Sequence, residues 1–171
     1  QYLPGWVQDW AGNHNSLDDR RIAGLDVPLA GLLSNSGSTP PGERFGTELI
    51  RKSAGGAGRA VEGIEHPEMV YGSAGDDPDT LKRNYASTIE TFMEVGTRNH
   101  EASAAILTGE YSNGEKLADY DRDTMVGYVL KHDWDDGGDA AGGLIDWIRD
   151  DGGSGDSTKI ALADRAFGGL F

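Results

Sequence analysis

Apolar residues recur every third or fourth position in several windows, and no window alternates strictly over five or more residues. That period predicts helices and no sheet. Trp6 and Trp10, four apart after Pro4, share one face of a short helix that Asn13-His14-Asn15 ends. They are expected to clasp this end onto the body. Leu17, Ile22, Leu25, Leu29, Leu32 and Leu33 follow at mixed spacing, broken by Asp26-Val27-Pro28. Pro28 pushes Val27 out of the α region, so one helix is expected to end there and a second to begin. Residues 34–42 read as a loop.

Over 43–64, Phe45, Leu49, Ser53, Gly56, Ala60 and Ile64 keep helical spacing. The small residues Ser53, Gly56 and Ala60 predict close approach of a neighbouring helix. Gly55-Gly56-Ala57-Gly58 costs about 1 kcal/mol per glycine relative to Ala, so a kink or break is expected there. His66-Pro67 ends the unit and 71–77 form a loop. Asp77-Pro78 opens the clearest helix, with Asp as N-cap and Pro at the first helical position. Its inward stripe is Leu81, Tyr85, Thr88, Ile89, Phe92 and Gly96. A helix over about 100–108 has Asn99 as cap, Ala102, Ala105 and Ile106 inward, and Gly109 as stop.

Ser112-Asn113-Gly114-Glu115 has capping-box spacing, and Asp119, Asp121 and Asp123 crowd the start of a helix that runs to His132. Residues 133–139 predict a tight acidic turn, with Trp134 plugging the junction of two helices and Asp135 or Asp136 capping the second. Ala140, Ala141, Leu144, Ile145 and Ile148 mark that second helix. Residues 150–156 read as a linker before an amphipathic segment carrying Ile160, Ala163 and Phe167. The sum is an all-α bundle of about six to eight short helices with Gly-rich loops. Residues 1–151 are expected to form a single helical domain, and 152–171 a C-terminal helix or partly detached tail. No fixed-period repeat is visible.

Composition narrows the function. Leu, Ile, Val and Phe make up about 19% of the chain and there are 26 glycines, which predicts a small-residue core. With no Cys, disulfides, thiolate metal sites and Cys nucleophiles are excluded. A formal charge of −14 repels phosphate, so no nucleic-acid partner is expected. No apolar run of about 18 residues exists, so no membrane insertion is expected. The chain begins at Gln1 without an initiator Met and reads as a processed piece of a longer protein.

The acidic clusters are the candidate metal sites. Asp119-x-Asp121-x-Asp123 begins like a calcium loop but has Thr124 and Leu130 where Gly and Glu are needed. Asp133-x-Asp135 starts equally well and lacks the closing carboxylate. Helix caps and turns explain both sets, and no metal or other cofactor is expected. His14, His66, His100 and His132 show no ligand-pair spacing. No serine-nucleophile or phosphate-loop motif is present, so no catalytic residue is assigned. A hydrolase working through His100 or His132 needs two or three of His100, Asp133, Asp135 and Glu101 to converge in one cleft with perturbed pKa values. A calcium-stabilised extracellular module is the other alternative. The candidate partner-binding residues are the aromatics Trp6, Trp10, Tyr128, Trp134, Phe167 and Phe171, suited to a protein partner or self-association.

The run from Asn99-His100-Glu101-Ala102-Ser103 through Tyr128-Val129-Leu130 to His132-Asp133-Trp134 and Gly137-Gly138, with Phe45-Gly46-x-Glu48-Leu49, resembles a helical domain of actinobacterial proteins. Those proteins are associated with type VII (WXG100-like) secretion and polymorphic-toxin systems. The resemblance spans about residues 43–150. It implies a non-catalytic helical structural or interaction module, secreted or envelope-associated, and it implies no catalytic residue. The chain departs from the small secreted partners of such systems in having no WxG. Its one export-like pattern, Tyr111 to Glu115, encloses Ser-Asn-Gly and reads as a turn.

Overall fold

The computed structural model describes residues 19–63 and 77–171. The expectations for Trp6 and Trp10, for His66-Pro67 and for most of the 71–77 loop lie outside the described residues. Within them the architecture is all-α. The helical segments are α1 (Asp19–Leu33), α2 (Glu43–Val61), α3 (Pro78–Thr97), α4 (His100–Thr108), α5 (Arg122–Lys131), α6 (Asp139–Gly142), α7 (Trp147–Gly152) and α8 (Ser157–Gly168). The only bridge among the described residues pairs Glu110 with Lys116.

Short polar side chains set the helix starts. Asp77 accepts from the backbone N–H of Asp79 and Thr80, Asn99 from Ala102, Asp121 from Thr124, and Asp156 from Thr158 and Lys159. Gly109, at φ 79°, stops α4 in the left-handed conformation that glycine adopts without strain.

Tertiary packing overrides local propensity at several points. α1 runs unbroken through Pro28, which faces solvent, where a carbonyl freed by the missing N–H can meet water. α2 runs unbroken through its glycine cluster. Gly56, Ala57 and Gly58 are buried there, and two hydrogen bonds tie the helix to α3. The Ser53 hydroxyl donates to the Ile89 carbonyl (2.6 Å), and the Tyr85 hydroxyl donates to the Gly56 carbonyl (2.8 Å).

The expected helix over 140–148 is instead two pieces. A turn over 143–146 separates α6 from α7 and lets Leu144 and Trp147 both reach the core. The expected capping box at Ser112 opens no helix. The Tyr111 N–H bonds the Glu115 carbonyl (2.8 Å), the Asn113 side chain accepts from the Glu115 N–H, and residues 112–114 form a turn. Asp151, read as linker, is buried in α7.

The core is built from small residues. Ala54, Ala57, Ala102, Ala104 and Ala105 pack around Ile50, Ile89, Met93, Ile106 and Leu107. Ala163 and Ala166 bring α8 onto the same cluster. A second cluster of Leu49, Phe92 and Val95 receives Ala30 of α1. Close backbone approach is enforced where α2 crosses α3. A Cβ on Gly96 would lie 2.7 Å from Ile50 Cγ1 and 2.9 Å from the Gly46 carbonyl oxygen.

Gly96→Ala is therefore expected to cost about 1–3 kcal/mol by overpacking. Gly55, with open space where its Cβ would stand, gives the opposite sign: Gly55→Ala is expected to add about 0.5–1 kcal/mol. Urea unfolding of the two variants measures both effects.

Candidate functional site

The buried stripe of α3 leaves its outward side free. Lys82, Ala86 and Glu90 line that side at four-residue spacing. The chain returns to it after α5 through a rigid corner over residues 132–140. Trp134 is buried there, and its indole N–H donates to the Val129 carbonyl (2.9 Å). Gly137 and Gly138 take left-handed backbone at φ 75° and 95°. The Asp136 carboxylate accepts from the N–H of Gly138 (2.8 Å) and of Ala140 (2.7 Å). The Glu90 carboxylate in turn accepts from the Asp136 N–H (3.1 Å), which clips the corner to α3.

Between α3 and this corner lies a cleft of about 280 Å³. Its floor is Tyr85, Ala86 and Ile89, and its rim carries Lys82, Glu90, His132, Asp133 and Asp135. Beyond Glu90 a second hollow of about 330 Å³ continues along α3, lined by Ser87, Thr91, Glu94, Asp136, Asp139 and Ala140. The two share Glu90, whose hydrogen bond to the Asp136 N–H crosses this acidic trough between them.

The trough perturbs its ionisable groups. Burial raises the Glu90 carboxyl above its ordinary value, helped by the charges of Asp136 and Asp135 and opposed by the backbone hydrogen bonds. Burial lowers the His132 imidazole, opposed by Asp133 and Asp135. The His132 ring stands edge-on to Trp134, with centroids 4.8 Å apart, and to Tyr85 at 6.5 Å.

His100 lies in a separate constellation. Its Nδ1 is 2.7 Å from a carboxylate oxygen of Asp151, and its ring stacks on Trp147 at 4.7 Å. Lys159 Nζ donates to the other Asp151 oxygen (3.2 Å). One buried carboxylate thus joins α4, α7 and α8. Burial alone would raise the Asp151 carboxyl, but the hydrogen bonds from His100 and Lys159 outweigh it and hold it below its ordinary value.

The residues expected to carry function are dispersed. Asp133 and Asp135 meet at the trough with His132, while His100 is bonded to Asp151 and Glu101 is exposed on α4. Asp133 and Asp135 thus share a cleft, and His100 and Glu101 stand apart from it. Among the described residues, no three His, Asp or Glu side chains gather in a metal-holding group. Asp121 instead caps α5, and Asp123 pairs with Arg122 (2.5 Å). Asp119 adopts a positive φ of 47° in a turn.

Of the aromatics, buried Trp134 offers no surface to a partner. Tyr128 lies over Gly58 and donates to Glu62. Phe167 and Phe171 are exposed and pack edge-to-face at 5.2 Å. Trp6 and Trp10 are outside the described residues. Sequence reasoning missed Lys82, Glu90 and Glu94 as one surface. Their signal was the polar side of α3, opposite its apolar stripe.

A family model described as a TPR repeat domain matches residues 12–147. No curated protein and no solved structure matches the chain.

Two measurements check the electrostatics. NMR titration is expected to place the His132 midpoint below the ordinary 6.5, and Asp133→Asn with Asp135→Asn to lower it further by removing the charges that favour the imidazolium. Asp151→Asn is expected to cost about 1–3 kcal/mol in urea unfolding, since it weakens two charge-assisted hydrogen bonds at a buried site. Because the folded carboxyl titrates below the ordinary 3.8, its contribution is complete above that pH. It is lost as the pH falls through the folded value.

Proposed function

The chain belongs to the TPR repeat domain family, and on that premise we propose that it is a non-catalytic interaction module of a secretion- or envelope-associated actinobacterial protein, able to assemble with itself. Domains of this family are helical-repeat modules that mediate protein–protein interaction. The observation that carries the reading is a preformed, solvent-open trough on a helical body of that family. The secretion association rests on the resemblance over residues 43–150, whose Asn99 helix start, Trp134 corner and Phe45-Gly46 helix are all structural elements of this fold. Self-assembly is supported by the exposed Phe167–Phe171 pair, since aromatic side chains anchor interfaces. We read 152–171 as part of the same domain, because Ala163 and Ala166 lie in the main core.

Among the described residues, no helix is long and apolar enough to cross a membrane. A small-residue core under a charged surface suits a module that presents rigid helix faces to a partner.

Light scattering on the purified chain is expected to give a mass above that of the monomer, and Phe167→Ser with Phe171→Ser to return it to the monomer with an unchanged melting temperature. Extracellular recovery from an actinobacterial host is expected to depend on its type VII secretion ATPase. A chain that stays monomeric and whose export ignores that ATPase contradicts the proposal.

A further inference from the structure

We infer that α8 is a strap that opens from the body as one unit while the remaining helices stay folded, held shut by a side-chain tie at each end. Three observations carry the inference.

The first is the backbone. Among the described residues, no backbone hydrogen bond joins 157–171 to an earlier helix, and those of α8 and its tail run back within α8 or to its cap Asp156. Release of α8 therefore breaks no backbone hydrogen bond of the body. The connection is equally free. Residues 152–156 are exposed. The N–H groups of Gly153 and Ser154 bond into α7, Asp156 caps α8, and Gly155 between them takes φ 77°, which glycine adopts without strain.

The second is what α8 buries. Ala163 and Ala166 are its buried side chains. They present little apolar area beside Ile50, Ile89 and Met93 at the α2–α3 crossing. Freeing α8 thus costs less than unfolding that crossing, and such a difference permits an opening short of global unfolding. It uncovers the α4 side of the main core, on which α8 packs.

The third is the pair of ties. At the start of α8, Lys159 Nζ donates to Asp151 (3.2 Å), and at its end an Arg122 N–H donates to the Gly169 carbonyl (2.6 Å). Between them Arg165 reaches the Tyr111 carbonyl only at 3.4 Å. When α8 leaves, Asp151 keeps His100 at 2.7 Å and Arg122 keeps Asp123 at 2.5 Å, so neither charge of the body is orphaned. A released helix of 12 residues is too short to hold by itself, so its amides become exchangeable together.

The test is amide hydrogen exchange on the full chain, read by NMR over a series of low urea concentrations. The amides of 157–168 are expected to share one opening that rises less steeply with urea than that of 50–58, since it exposes less surface. Gly96→Ala strains the α2–α3 crossing and leaves α8 untouched. It is expected to speed 50–58 about tenfold and 157–168 less than about twofold. Lys159→Met with Arg122→Met removes both ties and is expected to speed 157–168 about tenfold. Circular dichroism checks that the variants fold, and the urea series needs no variant. Equal urea dependence of 157–168 and 50–58, or equal acceleration of the two by Gly96→Ala, overturns the inference, because α8 then opens only when the whole chain unfolds. Unchanged exchange of 157–168 in the variant without ties overturns it as well, because something else then holds α8 shut.

Discussion

The closeness of α2 to α3 is the constraint on which the rest of the structure depends. Gly46 and Gly96 leave no room for a Cβ at the crossing, and hydrogen bonds from Ser53 and Tyr85 reach backbone carbonyls of the opposite helix. The bonds explain how a helix with three glycines in four residues stays intact. Each one satisfies a buried hydroxyl, and the burial of neighbouring apolar groups outweighs the propensity cost. A chain poor in large aliphatic residues can hold a core in this way only if its helices pack at backbone distance.

The trough depends on that crossing. Tyr85 is anchored to α2 through its hydroxyl, so its ring is fixed as part of the cleft floor. The outward side of α3 is then presented at a set angle to the corner that Glu90 clips down. On the far side of the bundle, Asp151 joins α4, α7 and α8 and brings the last helix onto the core. One buried carboxylate is structural in that place, while Asp133 and Asp135 on the cleft rim lie open to solvent.

Much of the fold was legible because caps are local. Asp77-Pro78, Asn99 with Gly109, and Asp121 fix helix ends by hydrogen bonds within a few residues, and all stand where the sequence put them. The Trp134 plug was equally readable, whereas the cap expected from Asp135 or Asp136 falls to Gly138, and the Asp136 side chain reaches past it to the Ala140 N–H. What failed was non-local. Pro28 and the 55–58 glycines read as breaks because their neighbours in space are invisible along the chain. The 143–146 turn exists because Leu144 and Trp147 must both point inward. The repeat character escaped for a related reason. The described helices vary from 4 to 20 residues, so they leave no constant period to detect. The site was half legible: Asp133 and Asp135 stood out, while Glu90, Glu94 and Lys82 looked like a solvated helix face.

The central claim is that a small-residue core holds because α2 and α3 pack at backbone distance. Amide hydrogen exchange tests it most directly. The account predicts the slowest exchange in residues 50–58 of α2 and 88–96 of α3, glycines included. Fast exchange across 55–58 would contradict it.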